Sequence, residues 1–173
     1  MPNGGYIRKY KEDRPVVAIC YDFDKTLSPD DMQAQGFIQS VGYSVSDFWQ
    51  ESNGLAECND MDQNLAYMFK MLDTAEGHLL FTKDTLLQYG AQVHLFPGVM
   101  DWFRRIREYG DTHGVIVEHY IISSGLKEMI EGTAIAGEFE KIYASNFFYN
   151  EKGVPVWPAQ VVNYTNKTQI LFR

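Results

Sequence analysis

Asp22 and Asp24 stand one residue apart, with Phe23 between them and Lys25 and Thr26 following. Two carboxylates this close repel each other unless a cation sits with them, so the pair implies a magnesium ion. Taken alone, the same spacing also describes a solvated acidic turn. Farther along, Ser123, Ser124 and Gly125 form a second candidate. A hydroxyl can donate one hydrogen bond to a phosphate, and a glycine lets backbone N–H groups approach it. The start of a following helix attracts the anion. Ser-Ser-Gly is also a common helix cap. Lys167 is the third candidate, although a single lysine at a helix start is ordinarily just solvated.

The elements in front of these residues raise the chemical reading. Val16 to Tyr21 (V-V-A-I-C-Y) is a continuous apolar run, the pattern of a strand covered on both faces in a parallel sheet. Cys20, inside it, reads as a small core residue. Acidic side chains delivered by the C-terminal end of a buried strand are where open α/β sheets build ligand sites. A second strand spans Val115 to Ser124, with Tyr120-Ile121-Ile122 as its apolar centre, and a helix follows from Leu126. Lys141 to Phe148 reads as a third strand. Tyr149 to Pro158 carries turn signals and suggests a short hairpin extension. A further helix begins at Lys167. Between the first strand and the helix opened by Phe96-Pro97-Gly98, apolar residues recur at helical spacing, so Ser28 to Leu95 reads as a helical insertion. Its aromatics and methionines (Phe48, Trp49, Tyr67, Met68, Phe69, Met71) read as packing.

D-x-D-x-T-L after an apolar strand resembles the first motif of the haloacid dehalogenase superfamily, mostly phosphate-transferring enzymes. The resemblance implies a Rossmann-like, three-layer α/β core over residues 1–27 and 96–173, with a helical cap at 28–95 of the phosphoserine-phosphatase-like kind. It implies that Asp22 is the nucleophile and Asp24 the general acid and base, with Thr26 orienting Asp24 and its loop. Ser123 matches the phosphate-binding serine of the second motif; Ser124 is the alternative, one register away, with Gly125 beside it. Lys167 matches the lysine of the third motif, with Lys152 a weaker rival. Mg2+ would sit on the Asp22 carboxylate and the backbone carbonyl of Asp24. The expected activity is magnesium-dependent hydrolysis of a small phosphorylated substrate through an aspartyl-phosphate.

The chain has 173 residues, 45% of them hydrophobic and 22% charged, in the range of globular proteins. A net charge of -8 argues against nucleic acid or an anionic membrane surface as partner. Cys20 and Cys58 have no metal or redox spacing, and His78, His94, His113 and His119 are scattered, which argues against zinc. The stretch Met1 to Pro15 reads as a flexible lead-in rather than a signal peptide, and a cytoplasmic location is expected. The family's fourth motif, an acidic pair completing the magnesium site, has no counterpart after Lys167. The sequence therefore implies a shortened or inactive form, weak magnesium binding, and a first strand whose edge could pair with another copy. Two other classes compete. A non-catalytic binding or regulatory remnant fits the missing motif. A phosphoacceptor receiver domain fits less well, because it has no large helical insertion after the first strand.

Overall fold

The computed structural model describes residues 14–172; the expected lead-in lies, except for Arg14 and Pro15, outside the described residues. The fold is α/β. Strands β1 (Val16–Tyr21), β2 (Ile116–Leu126), β3 (Lys141–Tyr149) and β4 (Pro155–Gln160) lie side by side in that order. The first three run parallel, with Tyr21 opposite Ile121 and Ile121 opposite Ile142. β4 runs antiparallel to β3, so the hairpin expected after Tyr149 makes the sheet mixed.

Between β1 and β2 come a 3-10 turn (Met32–Ala34) and helices α1 (Phe37–Ser40), α2 (Val45–Cys58), α3 (Gln63–Ala75), α4 (Lys83–Gly90) and α5 (Val99–Thr112). Each long helix of the insertion starts at a side-chain cap. Ser44 accepts from the Asp47 N–H, Asp62 from those of Asn64 and Leu65, and Thr82 from that of Thr85. After β2 come α6 (Lys127–Gly132) and a 3-10 turn at Ala136–Glu138; α7 (Lys167–Ile170) follows β4.

Successive residues of a strand face opposite sides of the sheet, and the two sides here are covered unequally. One apolar cluster joins Ile121, Ala144 and Phe147 of the sheet to Phe103 of α5, Met129 of α6 and the insertion residues Phe37, Phe48, Met68 and Leu86. The other holds, among the described residues, Ile122, Val162 and Ile170, with Tyr143 against it. α4 reaches α6 across the first cluster at very close range. A Cβ on Gly90 would strike the carbonyl of Met129, and one on Gly132 the carbonyl of Leu87. Only glycines allow this approach.

Two expectations about β1 need correction. Its apolar run pointed to a strand covered on both faces, yet Val17 is 48% exposed and Ala18 and Cys20 are exposed as well. Cys20 is a surface residue rather than a core one. The reason is the thin cover on that side: α7 has four residues, and its Ile170 reaches Ile122 and Tyr143 but leaves Ala18 and Cys20 open. Among the described residues β1 is also an edge strand, paired only with β2.

Candidate active site

The end of β1 is anchored from behind. The ring of Tyr21 packs edge-on against Phe103 at 5.8 Å. Its hydroxyl accepts from Trp102 Nε1 at 2.8 Å and lies 3.0 Å from His119 Nδ1. His119 is wholly buried, and burial, helped by the positive charge of Arg107, pushes its pKa down to about 4. The Tyr21 hydroxyl and Nδ1 of the neutral ring share one hydrogen bond, whose donor depends on the ring tautomer.

Beyond Tyr21 the chain turns around Phe23, whose side chain has no exposure at all. Its carbonyl accepts the N–H groups of Thr26, Leu27 and Ser28 at 3.2, 2.9 and 3.2 Å. Lys25 makes the turn in the left-handed region, at φ 59°. With Phe23 driven into the core, Asp22 is left exposed and Asp24 half-buried.

Asp22 meets Lys167 there. Lys167 Nζ donates to Asp22 Oδ2 at 2.7 Å across 145 positions of sequence. A self-bonded turn delivers the lysine. Asn163 accepts from Thr165 N–H through Oδ1, and Asn166 Oδ1 accepts from Asn163 N–H. Asn166 Nδ2 then ties the turn to the Val161 carbonyl. The rival Lys152 sits in the exposed β3–β4 turn.

Asp24 occupies a different setting. Its Oδ1 accepts from Met32 N–H at 2.9 Å. Burial is the largest influence on its carboxyl, and neighbouring Asp31 and Asp22 add to it, so its pKa is pushed up to about 7. Gly125 faces it closely: a Cβ there would stand 2.9 Å from Asp24 Oδ2 and collide with the Met32 methyl group.

Ser123 is buried and its Oγ accepts from Gly125 N–H at 3.0 Å. Ser124 is half-buried and lines two cavities with α3 residues. Thr26 is exposed, and in the hydrogen bonds among the described residues only its backbone N–H takes part.

The insertion reaches this end of the sheet through contacts that its sequence does not announce. Tyr67, one of the aromatics read as packing, donates its hydroxyl hydrogen to the Ser124 carbonyl at 2.8 Å. Asn64 Nδ2 donates to the Val162 carbonyl, and Asn163 Nδ2 to Asp62 Oδ2. Trp49, Tyr67 and Gln33 line a cavity of about 160 Å³ together with Asp24, Ser124 and Gly125.

No protein-family model matches the chain. A curated relative from Borreliella burgdorferi, described as an uncharacterized protein, is 29% identical over 143 residues, 76% of this chain and 50% of the relative. The crystal structure of a HAD family hydrolase from Salmonella enterica serovar Typhi superimposes with a TM-score of 0.65 at 17% identity, over 92% of this chain. The fold is haloacid dehalogenase-like. A phosphoserine phosphohydrolase-like protein from Francisella tularensis gives a TM-score of 0.52 at 18% identity, over 91% of this chain and 73% of its own. A phosphoserine phosphatase, solved as an analogue of its phospho-aspartyl intermediate, gives 0.51 at 12%, over 82% and 62%. The chain spans about half the length of the Borreliella relative and of the Salmonella hydrolase (50% and 51%).

Within that fold the donor set suits a hard cation in one way. Asp22 and Asp24 offer carboxylate oxygens and the loop offers carbonyls, whereas no group of three or more His, Cys, Asp or Glu side chains gathers among the described residues. Mg2+ often takes one or two carboxylates and completes its shell with water and substrate phosphate. That mode fits these residues; a protein cage does not.

Proposed function

We propose that the chain carries a phosphomonoester hydrolase site in which Asp22 accepts the phosphoryl group. The observation that carries this reading is the Lys167–Asp22 pair at 2.7 Å. A cation held against a carboxylate at a strand end neutralises the approach of a phosphate dianion and the charge that shifts during transfer.

In the first step an Asp22 oxygen bonds to phosphorus while the bond to the leaving oxygen breaks, and the Asp24 carboxyl gives that oxygen its proton. In the second, water attacks the aspartyl-phosphate, Asp24 takes the water's proton, and inorganic phosphate leaves with Asp22 restored. A pKa of about 7 suits a group that must donate and then accept near neutral pH. Ser123 Oγ already receives the Gly125 N–H and so keeps its own hydrogen to offer to phosphate; Ser124 is the alternative donor. Mg2+, on the Asp22 carboxylate and the Asp24 carbonyl, would supply charge neutralisation when bound.

A second reading is a non-catalytic phosphate-binding or regulatory module. It is favoured by the lack of a third acidic ligand among the described residues. Hydrolysis of p-nitrophenyl phosphate with Mg2+, compared between the chain and Asp22→Asn, separates the two. Turnover that disappears in the variant supports the enzyme, and phosphate binding without turnover supports the module.

A further inference from the structure

Tyr67 sits where the insertion meets the strand that carries Ser123 and Ser124, and it is only 4% exposed. It lies early in α3, a helix whose start is fixed by the Asp62 cap. The Trp49 ring of α2 packs edge-on against its own ring at 6.0 Å. Its hydroxyl donates to the Ser124 carbonyl at 2.8 Å.

That carbonyl belongs to the part of β2 where the ladder with β3 slips. Ala144 of β3 stands opposite Ser123 and Ser145 opposite Leu126, so Ser124 and Gly125 are extra residues with no counterpart in the register. A bulge of this kind re-aims side chains and disrupts the regular ladder, so its shape needs other holds. One is internal, the Gly125 N–H to Ser123 Oγ bond at 3.0 Å. The other comes from the insertion, through Tyr67. The same stretch of α3 also secures the flank of the bulge. Asn64 Nδ2 donates to the Val162 carbonyl, and the Val162 N–H donates to the Ser145 hydroxyl at 3.0 Å. A phenylalanine at position 67 would fill the same space, but it would leave the Ser124 carbonyl without this donor.

We infer that Tyr67 is a positioning residue of the phosphate site, holding the bulge in the conformation that presents the phosphate-binding serine hydroxyl. It acts through Ser124 rather than on the reacting atoms. This rests on the phosphate site of the reading above.

Titration calorimetry of the whole chain with Mg2+ present and inorganic phosphate as the probe tests the inference without needing turnover. Tyr67→Phe, which deletes the hydroxyl alone, should weaken phosphate binding about five- to tenfold. Tyr67→para-aminophenylalanine, which returns a donor to the same ring position, should recover most of that loss. Leu72→Ala removes packing farther along α3 and should leave phosphate affinity unchanged. The positioning role would be overturned, with the phosphate site left standing, by any of four results. These are a Tyr67→Phe chain that binds phosphate as before or does not fold, a loss that the amino analogue does not recover, or an equal loss in Leu72→Ala. No phosphate binding by the unchanged chain would overturn the role and the site together.

Discussion

Asp62 and Asn163, 101 positions apart, are joined by a hydrogen bond of 2.8 Å from the Asn163 amide to Asp62 Oδ2. Asp62 is the N-cap of α3, and Asn163 opens the turn that delivers Lys167, so the insertion and Lys167 share one anchor. Asp62→Ala removes the acceptor for two helix N–H groups as well as for Asn163. It should cost about 1–2 kcal/mol in urea unfolding. Asn163→Ala should cost less in stability but loosen Lys167, raising KM for a phosphate ester more than Asp62→Ala does.

Gly125→Ala should harm activity more than its size suggests. The added methyl stands 2.9 Å from Asp24 Oδ2 and against the Met32 side chain, so Asp24 or the 3-10 turn must shift. Overpacking of this kind costs about 1–3 kcal/mol, measurable as a lower unfolding midpoint. Ser123→Ala and Ser124→Ala, assayed together, should separate the two hydroxyls. The phosphate-binding serine is the one whose loss raises KM for every ester alike.

Asp24 gives a pH dependence whose sign follows from its environment. Its carboxyl releases its proton near 3.8 in an unfolded chain and near 7 when folded. Ionisation therefore opposes folding, a penalty absent below 3.8, growing between the two values and complete above about 7. Asp24→Asn keeps an acceptor for the Met32 N–H and does not titrate. With a chelator present, its stability advantage over the unchanged chain should be small near pH 4 and widen toward pH 8. A gap that narrows with rising pH would contradict the assignment. Activity should fall above about pH 7 as the proton donor is lost.

The open side of β1 carries a prediction about association. Among the described residues β1 pairs only with β2, and this edge, beside exposed Val17, Ala18 and Cys20, is a surface that a second copy can extend. We propose that the chain self-associates there. Light scattering on size exclusion should show concentration-dependent dimers that Val17→Lys abolishes. A monomer at every concentration would remove the proposal.

β1 and β2 were legible because each carries an apolar stretch that leads into chemistry-bearing residues, Asp22 and Asp24 after the one and Ser123 and Ser124 at the end of the other. Lys167 was legible only through the motif resemblance, since nothing local distinguishes it from Lys152. The open face of β1 was not legible, because an apolar run records which neighbours a strand can accept, not which are present. Tyr67, Trp49 and Gln33 were missed for a related reason. Aromatic and amide residues at helical spacing look like packing until the fold brings α2 and α3 over Ser124 and Asp24. The Asp62–Asn163 tie carries no local signal, because it spans 101 positions.

The central claim is that Asp22 takes the phosphoryl group, and it can be tested without a natural substrate. The chain is incubated with acetyl phosphate and Mg2+, quenched in acid and mapped by peptide mass spectrometry, with Asp24→Asn included to slow loss of the acyl-phosphate. One phosphoryl group should appear on the peptide containing Asp22, increase in Asp24→Asn and be absent from Asp22→Asn. Label on another residue, or equal label in Asp22→Asn, would contradict the account.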